Sequence, residues 1–378
     1  MKINIISTEF YEWGVYGGFG MFTRKLGKEL VKRGIEVEAF MPKFSNLQKT
    51  PGEYELIDGV QVKTLPRVRH KPFNLKMYKT DADIIHSECN PLDTYLTFFE
   101  NPKIPKIITF QDIRTPKDLD MLRACDKGKL VGEAMTDAPK KYWYRVWYSF
   151  VEGLYKIAIR HADYITTQTE LLVPKVKKMY DLRQHPFWLP NFIDVPTQLS
   201  FSKKYSVPSV AWLARTDPIK HPELCLEVAS VNPEVQFYVM GHSHWPHYDD
   251  YLIQKYKDAK NIHWIGMVNE EQKNEALSKC WVLMNTSYYE ALPITFLEAM
   301  SYGCSIVSTQ NPDRYTEKFG AWSKEQTVRG VHEKLKWILQ DERWRALGTA
   351  GYNFVKENHE TNKCVNQHIT LYKKLLGE

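Results

Sequence analysis

Short runs rich in β-branched and aromatic residues alternate with longer stretches of helical periodicity along this chain, and they do so in two series. The first series is KINIIS from Lys2, IEVEAF from Ile35, DIIH from Asp83, KIITF from Lys106 and DYITT from Asp163. The second follows the proline-containing passage HPFWLPNFIDVP and comprises SVAWLA at Ser209, VQFYVM at Val235, NIHWIG at Asn261, WVLMN at Trp281 and CSIVS at Cys304. Such alternation predicts a parallel sheet wrapped by helices. Its repetition predicts an α/β protein of two doubly wound, Rossmann-like domains. The length, 378 residues, also exceeds what one hydrophobic core usually serves. Two prolines and a broken pattern place the boundary near Asp194, with residues 1–194 and the region from 195 as the two domains.

Composition excludes several classes of function. With 43% hydrophobic and 25% charged residues the chain is neither disordered nor fibrous. The apolar run in MKINIISTEF is too short for a signal peptide and no later run is long enough to span a bilayer, which predicts a cytoplasmic protein. The six cysteines include no Cys-x-x-Cys pair, so reduced thiols are expected rather than a disulfide frame or a zinc knuckle. A net charge of +6 suits anionic ligands without demanding nucleic acid, and no basic recognition element stands out.

In open α/β sheets the loops leaving the carboxyl ends of the strands form the binding crevice, which directs attention to residues just past these runs. In VYGGFGMFTRKLGKELVKRG, Phe22, Leu26 and Leu30 share one helical face, and Gly17, Gly18 and Gly20 fall where that helix begins. Free N–H groups and the helix dipole there favour an anion, although an ordinary glycine-rich turn fits equally well. The long loop between Ser7 and Gly17 argues against a dinucleotide fingerprint. Arg215 and Lys220 follow the strand SVAWLA directly, and a guanidinium fork with a mobile ammonium suits a diphosphate. In YYEALPITFLEAMSYGCSIVS, ITFLEAMSYG predicts a helix of about three turns capped by Gly303. Glu290 precedes that helix, near where a sugar would rest. Glu298 lies inside it, able to accept from ribose hydroxyls, while N–H groups around Leu292, Ile294 and Thr295 point at phosphate. Each charge taken singly also fits a solvated surface residue.

These residues resemble glycosyltransferase family 4, retaining enzymes of the GT-B fold that use nucleotide sugars. The resemblance rests on GGFG at Gly17, DIIH ending at His86, LPNFID with Asn191 and Asp194, ARTDPIK with Arg215 and Lys220, VMG ending at Gly241, IGMV at Ile265 and the Glu-x7-Glu spacing of Glu290 and Glu298. It implies that Arg215 and Lys220 hold the donor diphosphate, Glu298 the ribose, and Glu290 the transferred sugar near its reacting carbon. Gly17, Gly18, Gln111, Gly241, Met267, Leu292, Ile294 and Thr295 complete the donor side, with the turn at Gly266 and Met267 touching the base. His86, Glu88 and Asp112 fall on the acceptor side. Residues 1–194 are then the acceptor-side domain, 195–356 the nucleotide-sugar-binding domain, and 357–378 a helix returning to the first. The family needs no metal and no cofactor beyond the nucleoside-diphosphate sugar.

The chain also departs from the family. Gln111-Asp112 replaces His-Asp, so an imidazole is absent beside the donor sugar, although glutamine still hydrogen-bonds a hydroxyl. NFID replaces Asn-Gly-Val-Asp, Ala214 and His221 stand where glycines flank the Arg/Lys motif, and the stretch after Thr309 is short. The expected activity is transfer of a hexose or related sugar to an acceptor that is a glycan, a lipid or a small molecule. A nucleotide-sugar epimerase of the same fold and a silent nucleotide-sugar-binding protein fit the same residues. GHSHWPHYDD, with His242, His244, His247, Asp249 and Asp250, matches no metal-ligand spacing and is expected to be a polar loop. The helix around KKYWYRVWYSFVEGLYKIAIRHA has one narrow polar stripe, Lys141, Arg145, Ser149, Glu152, Lys156 and Arg160, so burial on its other sides is expected in preference to membrane contact. The basic run from Arg67 to Lys79 is expected to be solvated; contact with anionic lipid at the inner face of the membrane is its alternative.

Overall fold

The computed structural model describes residues 1–13, 17–42, 52–66, 74–88, 90–115, 118, 138–245 and 247–378. In chain order the elements are β1 (Lys2–Ser7), α1 (Gly18–Val31), β2 (Glu36–Pro42), β3 (Tyr54–Ile57), β4 (Val60–Leu65), β5 (Ile84–Glu88), α2 (Pro91–Glu100), β6 (Lys106–Phe110), α3 (Ala138–Arg160), β7 (Tyr164–Thr167), α4 (Leu172–Tyr180) and β8 (Phe187–Trp188). They continue with β9 (Ser209–Leu213), α5 (Pro222–Ser230), β10 (Gln236–Met240), α6 (Tyr248–Lys255), β11 (Ile262–Gly266), α7 (Glu270–Lys279), β12 (Val282–Asn285), α8 (Ile294–Ser301) and β13 (Ser305–Ser308). The last are α9 (Tyr315–Phe319), β14 (Gly320–Trp322), α10 (Val328–Leu339), α11 (Arg343–Asn358) and α12 (Thr361–Leu376). Met1–Ile113, Thr136–Asn191 and Asn362–Glu378 form one compact unit, and Arg114–Met135 with Phe192–Thr361 a second. Among the described residues no helix is long and apolar enough to cross a membrane.

The first unit is built on an eight-stranded sheet of order β3-β4-β2-β1-β5-β6-β7-β8. All its pairings are parallel except that of β3 with β4. That hairpin turns through Asp58 and Gly59, both at positive φ. The central strands are apolar on both faces because helices cover both, as parallel sheets require. Polar groups in this core are satisfied in a chain: Tyr372 Oη of α12 meets His86 Nδ1 at 2.7 Å, His86 Nε2 meets Thr109 Oγ1 at 2.6 Å, and Thr109 meets Thr166 at 2.6 Å. Burial holds His86 neutral by pulling its pKa down to about 3. The chain ties β5, β6, β7 and the last helix into one core, a use of polar residues that stabilises only when every member finds a partner.

Beside it, β5 ends on Glu88, which is 3% exposed. Its Oε2 accepts from Thr23 Oγ1 of α1 at 2.7 Å, and Oε1 has no partner among the described residues. Loss of hydration raises its pKa to about 7.

Helix α3 differs from expectation. Tyr155, Ala158 and Ile159 are buried, but Val146, Trp147, Tyr148, Phe150 and Ile157 are exposed, Phe150 by 55%. Among its described side chains, the buried ones fall in the last turns, where Tyr155, Ala158 and Ile159 join Ile108 and Phe110 of β6 and Ile165 of β7 in one core. The side chains of Lys141 and Arg145, and residues 67–73 of the basic run, lie outside the described residues.

The second unit is a parallel six-stranded sheet of order β11-β10-β9-β12-β13-β14. Along β9 the side chains alternate between two cores. Val210 and Trp212 join Phe237, Val282 and Trp344 on one face, and Ala211 joins Leu283, Phe296 and Ile306 on the other. Helix α8 spans eight residues, about two turns rather than the three expected. It stops because Tyr302 and Gly303 turn the chain into β13, with Gly303 at φ +70°. Gly241, just past β10, has φ +141°, and a Cβ there would overlap the carbonyl oxygen of Ala214.

Two outcomes are expected. Gly241→Ala should destabilise the protein by roughly 3 kcal/mol or more in denaturant titration, because backbone clash and positive φ act together. For Glu88, the folded pKa lies above the unfolded 4.5, so the wild type loses stability as pH rises from about 4.5 to about 7. Glu88→Gln removes that slope. Relative to wild type it should be near neutral at pH 4.5 and gain up to about 3 kcal/mol by pH 8, read as a pH-dependent rise in Tm.

Candidate functional site

Where strand order reverses in an open parallel sheet, two neighbouring strands send their chains in opposite directions and leave a crevice at their carboxyl ends. In the second unit this point lies between β9 and β12, in the first between β1 and β5. The loops that follow β9 and β12 carry Arg215, Lys220 and Glu290.

Those two loops are stitched together. Tyr288 N–H donates to Ile219 O at 3.0 Å, Thr286 Oγ1 donates to His221 O at 2.8 Å, and Trp212 Nε1 donates from the core to Thr286 Oγ1 at 3.0 Å. His221, at φ +50°, stacks on Tyr288 with centroids 4.3 Å apart. The stitching brings Lys220 Nζ to 2.6 Å from Glu290 Oε1, with side chains 20% and 12% exposed. The same oxygen accepts from Ser287 Oγ at 2.6 Å and from Asn285 Nδ2 at 3.4 Å.

Arg215, 42% exposed along its side chain, is held from below by Asp217, Nη1 to Oδ2 at 2.8 Å. His244 Nδ1 lies 2.5 Å from the same Nη1. Asp217 is itself fixed by Ser243 Oγ at 3.1 Å and His244 N–H at 2.8 Å. Both cations thus follow the carboxyl end of the central strand β9, each paired with a carboxylate.

Helix α8 begins after Pro293, its N-cap, which accepts from Phe296 N–H at 3.0 Å. The N–H groups of Ile294 and Thr295 precede any intrahelical partner, and Leu292 is buried just before them. Glu298, in the next turn, pairs with Lys273 Nζ of α7 at 2.5 Å. Gly241 donates to Gly266 O at 2.8 Å, which sets the turn where Met267 is 69% exposed.

In the first unit Gly17 is the N-cap of α1 and Gly18 its first residue. Ser7 at the end of β1 is in register with Glu88 at the end of β5, and Thr23 links them, 3.0 Å from Ser7 Oγ and 2.7 Å from Glu88. Gln111, 2% exposed, follows β6 and its carbonyl accepts from Gln168. Asp112 beside it is half-buried. His86, expected on the acceptor side, is fully buried, with both ring nitrogens engaged by Tyr372 and Thr109.

In the histidine loop His242 meets Asp249 at 2.7 Å and His247 meets Asp250 at 3.7 Å. Among the described residues no group of three or more His, Cys, Asp or Glu is arranged to hold a metal ion. Sequence reasoning missed Asp217, Ser287, His244 and Lys273. Only Lys273 carried a usable signal, since it lies four residues before Leu277 on the face of α7 that packs inward.

Residues 199–354 match the family model of glycosyl transferases group 1, and residues 2–112 that of the starch synthase catalytic domain. No curated protein matches the chain. Sucrose-phosphate synthase from Thermosynechococcus elongatus superposes with a TM-score of 0.74 at 17% identity, covering 100% of this chain and 99% of that one. The Anabaena protein HepE in complex with UDP gives 0.73 at 12% identity, covering 99% and 100%. The catalytic domain of starch synthase IV from Arabidopsis thaliana, bound to ADP and acarbose, gives 0.65 at 13% identity, covering 100% and 99%. The chain has the GT-B fold of these structures, and the unit that carries Arg215, Lys220, Glu290 and Glu298 is the one matched by group 1 glycosyl transferases.

Proposed function

We propose that this chain is a retaining glycosyltransferase, similar to family 4, that moves a hexose or related sugar from a nucleoside diphosphate to a glycan, lipid or small-molecule acceptor. One observation carries the proposal. Lys220 pairs with Glu290 at the strand-order reversal of the unit matched by group 1 glycosyl transferases, with Arg215 on the same loop after β9 and Glu298 on the helix that follows Glu290. The bound UDP of HepE and ADP of starch synthase IV support a nucleoside diphosphate as the donor class.

As the glycosidic bond breaks, negative charge grows on the leaving diphosphate. Arg215 and Lys220, already oriented by Asp217 and Glu290, stabilise that charge more in the transition state than in the ground state. The N–H groups at the start of α8 add to this. These side chains, rather than a metal, are assigned the neutralising role. Glu290, held by Lys220, Ser287 and Asn285, is assigned the transferred sugar. Glu298 takes the ribose, the turn at Gly241, Gly266 and Met267 takes the base, and Gln111 takes a sugar hydroxyl. Gly17 and Gly18 face phosphate, and Glu88 and Asp112 belong to the acceptor. The protein works in the cytoplasm or at the inner face of the membrane.

Thermal stability with UDP, GDP, ADP and their sugar conjugates tests the donor. A ligand at a hundred times its Kd should stabilise the fold by about 2.7 kcal/mol, and no shift with any of them overturns the proposal. Lys220→Ala leaves Glu290 uncompensated beside the diphosphate, so it should weaken nucleotide binding roughly tenfold or more. Glu298→Ala should weaken it as well. Glu290→Ala should leave nucleotide binding in place and lower transfer by about a hundredfold. Lost binding of the free nucleotide with intact transfer at saturating donor would show that the roles are reversed.

A further inference from the structure

We propose that Lys273 is a positioning residue for nucleotide recognition: its ammonium fixes the Glu298 carboxylate so that one oxygen is left to accept from the ribose diol. The inference rests on the role of Glu298 proposed above and adds a residue to it.

Helix α7 starts at a reciprocal cap, Asn269 Oδ1 accepting from Gln272 N–H at 2.9 Å and Gln272 Oε1 accepting from Asn269 N–H at 3.0 Å. The cap sets the phase of a helix that is polar nearly everywhere. Only Lys273 and Leu277 are buried on it, to 8% and 0% exposure. An unpaired ammonium there would lose its hydration without return. It is paired instead: Nζ lies 2.5 Å from Glu298 Oε1, with side chains 10% and 12% exposed.

Stability is a poor reason for such a pair, because apolar residues of similar volume serve buried positions at least as well. What the pair does supply is direction. A glutamate has three rotatable side-chain bonds, and engaging Oε1 from a capped helix fixes all of them. Oε2 is then left without a partner among the described residues, and a carboxylate oxygen has lone pairs for two donors, as a vicinal diol requires. Because α7 follows directly on the Gly266–Met267 turn, Lys273 links the base-side element to the ribose-side helix.

The test is binding of UDP, GDP and ADP and of their 2′,3′-dideoxy counterparts to the full chain by calorimetry. Wild type should bind one nucleotide roughly tenfold or more tightly than its dideoxy form, as expected for hydrogen bonds to a charged group. Lys273→Met should reduce that ratio to about twofold while changing affinity for the dideoxy form by less than about threefold, which a general loss of stability would not do. Lys273→Arg should restore the ratio. If Lys273→Met does not fold, Lys273→Gln serves, being neutral, polar and too short to hold the carboxylate in place. A wild-type ratio retained in either neutral variant overturns the inference alone. A wild type that binds none of the six overturns the proposed function with it.

Discussion

A parallel sheet buried on both faces cannot return a strand to its neighbour by a tight turn, so every crossover leaves a loop at the carboxyl end of its strand. Where the order of strands reverses, two such loops emerge side by side with no helix between them. In the second unit that place is the gap between β9 and β12, and the residues there follow from it. Trp212, one residue before the end of β9 and buried to 1% exposure, anchors Thr286 beyond β12. Thr286 in turn holds the backbone at Lys220 and His221. The core therefore reaches the loop that carries Lys220 through the hydroxyl of Thr286. A site placed in this way inherits the rigidity of the sheet although all its side chains stand on loops.

The same geometry explains why each cation comes with a carboxylate. Lysine and arginine at a half-buried strand end would repel one another and pay in lost hydration, and Glu290 and Asp217 offset both effects. Glu290 is in addition held by Ser287 and Asn285, so its pair with Lys220 is one of three contacts that fix it.

Much of this was legible in the sequence because buried parallel strands are written as continuous apolar runs. KINIIS and KIITF coincide with β1 and β6, and SVAWLA and VQFYVM with β9 and β10 apart from a residue at one end. The β3–β4 hairpin was not anticipated, since YELIDGVQVKTL alternates apolar and polar residues beside strands that do not. Helix α8 was overestimated because its apolar composition continues past the point where Gly303 turns the backbone. Helix α3 was misjudged because aromatic composition was equated with burial, whereas Trp147, Tyr148 and Phe150 are exposed. The catalytic candidates were visible as motif letters. Their partners were not: Asp217, Ser287 and Lys273 become partners of Arg215, Glu290 and Glu298 only after the loops have folded.

Lys273 and Glu88 show two solutions to the same physical problem. Each is an ionisable group placed at under a tenth exposure beside an element that leads into a candidate site. Lys273 meets its requirement with an opposite charge, the carboxylate of Glu298. Glu88 has one hydroxyl donor and no cation within its hydrogen-bonding shell among the described residues, so the cheaper state is the protonated one as pH falls through about 7. A neutral carboxylic acid can donate as well as accept. The two units thus end their switch-point strands differently, one with carboxylate–cation pairs, the other with a buried carboxyl group whose charge follows the pH.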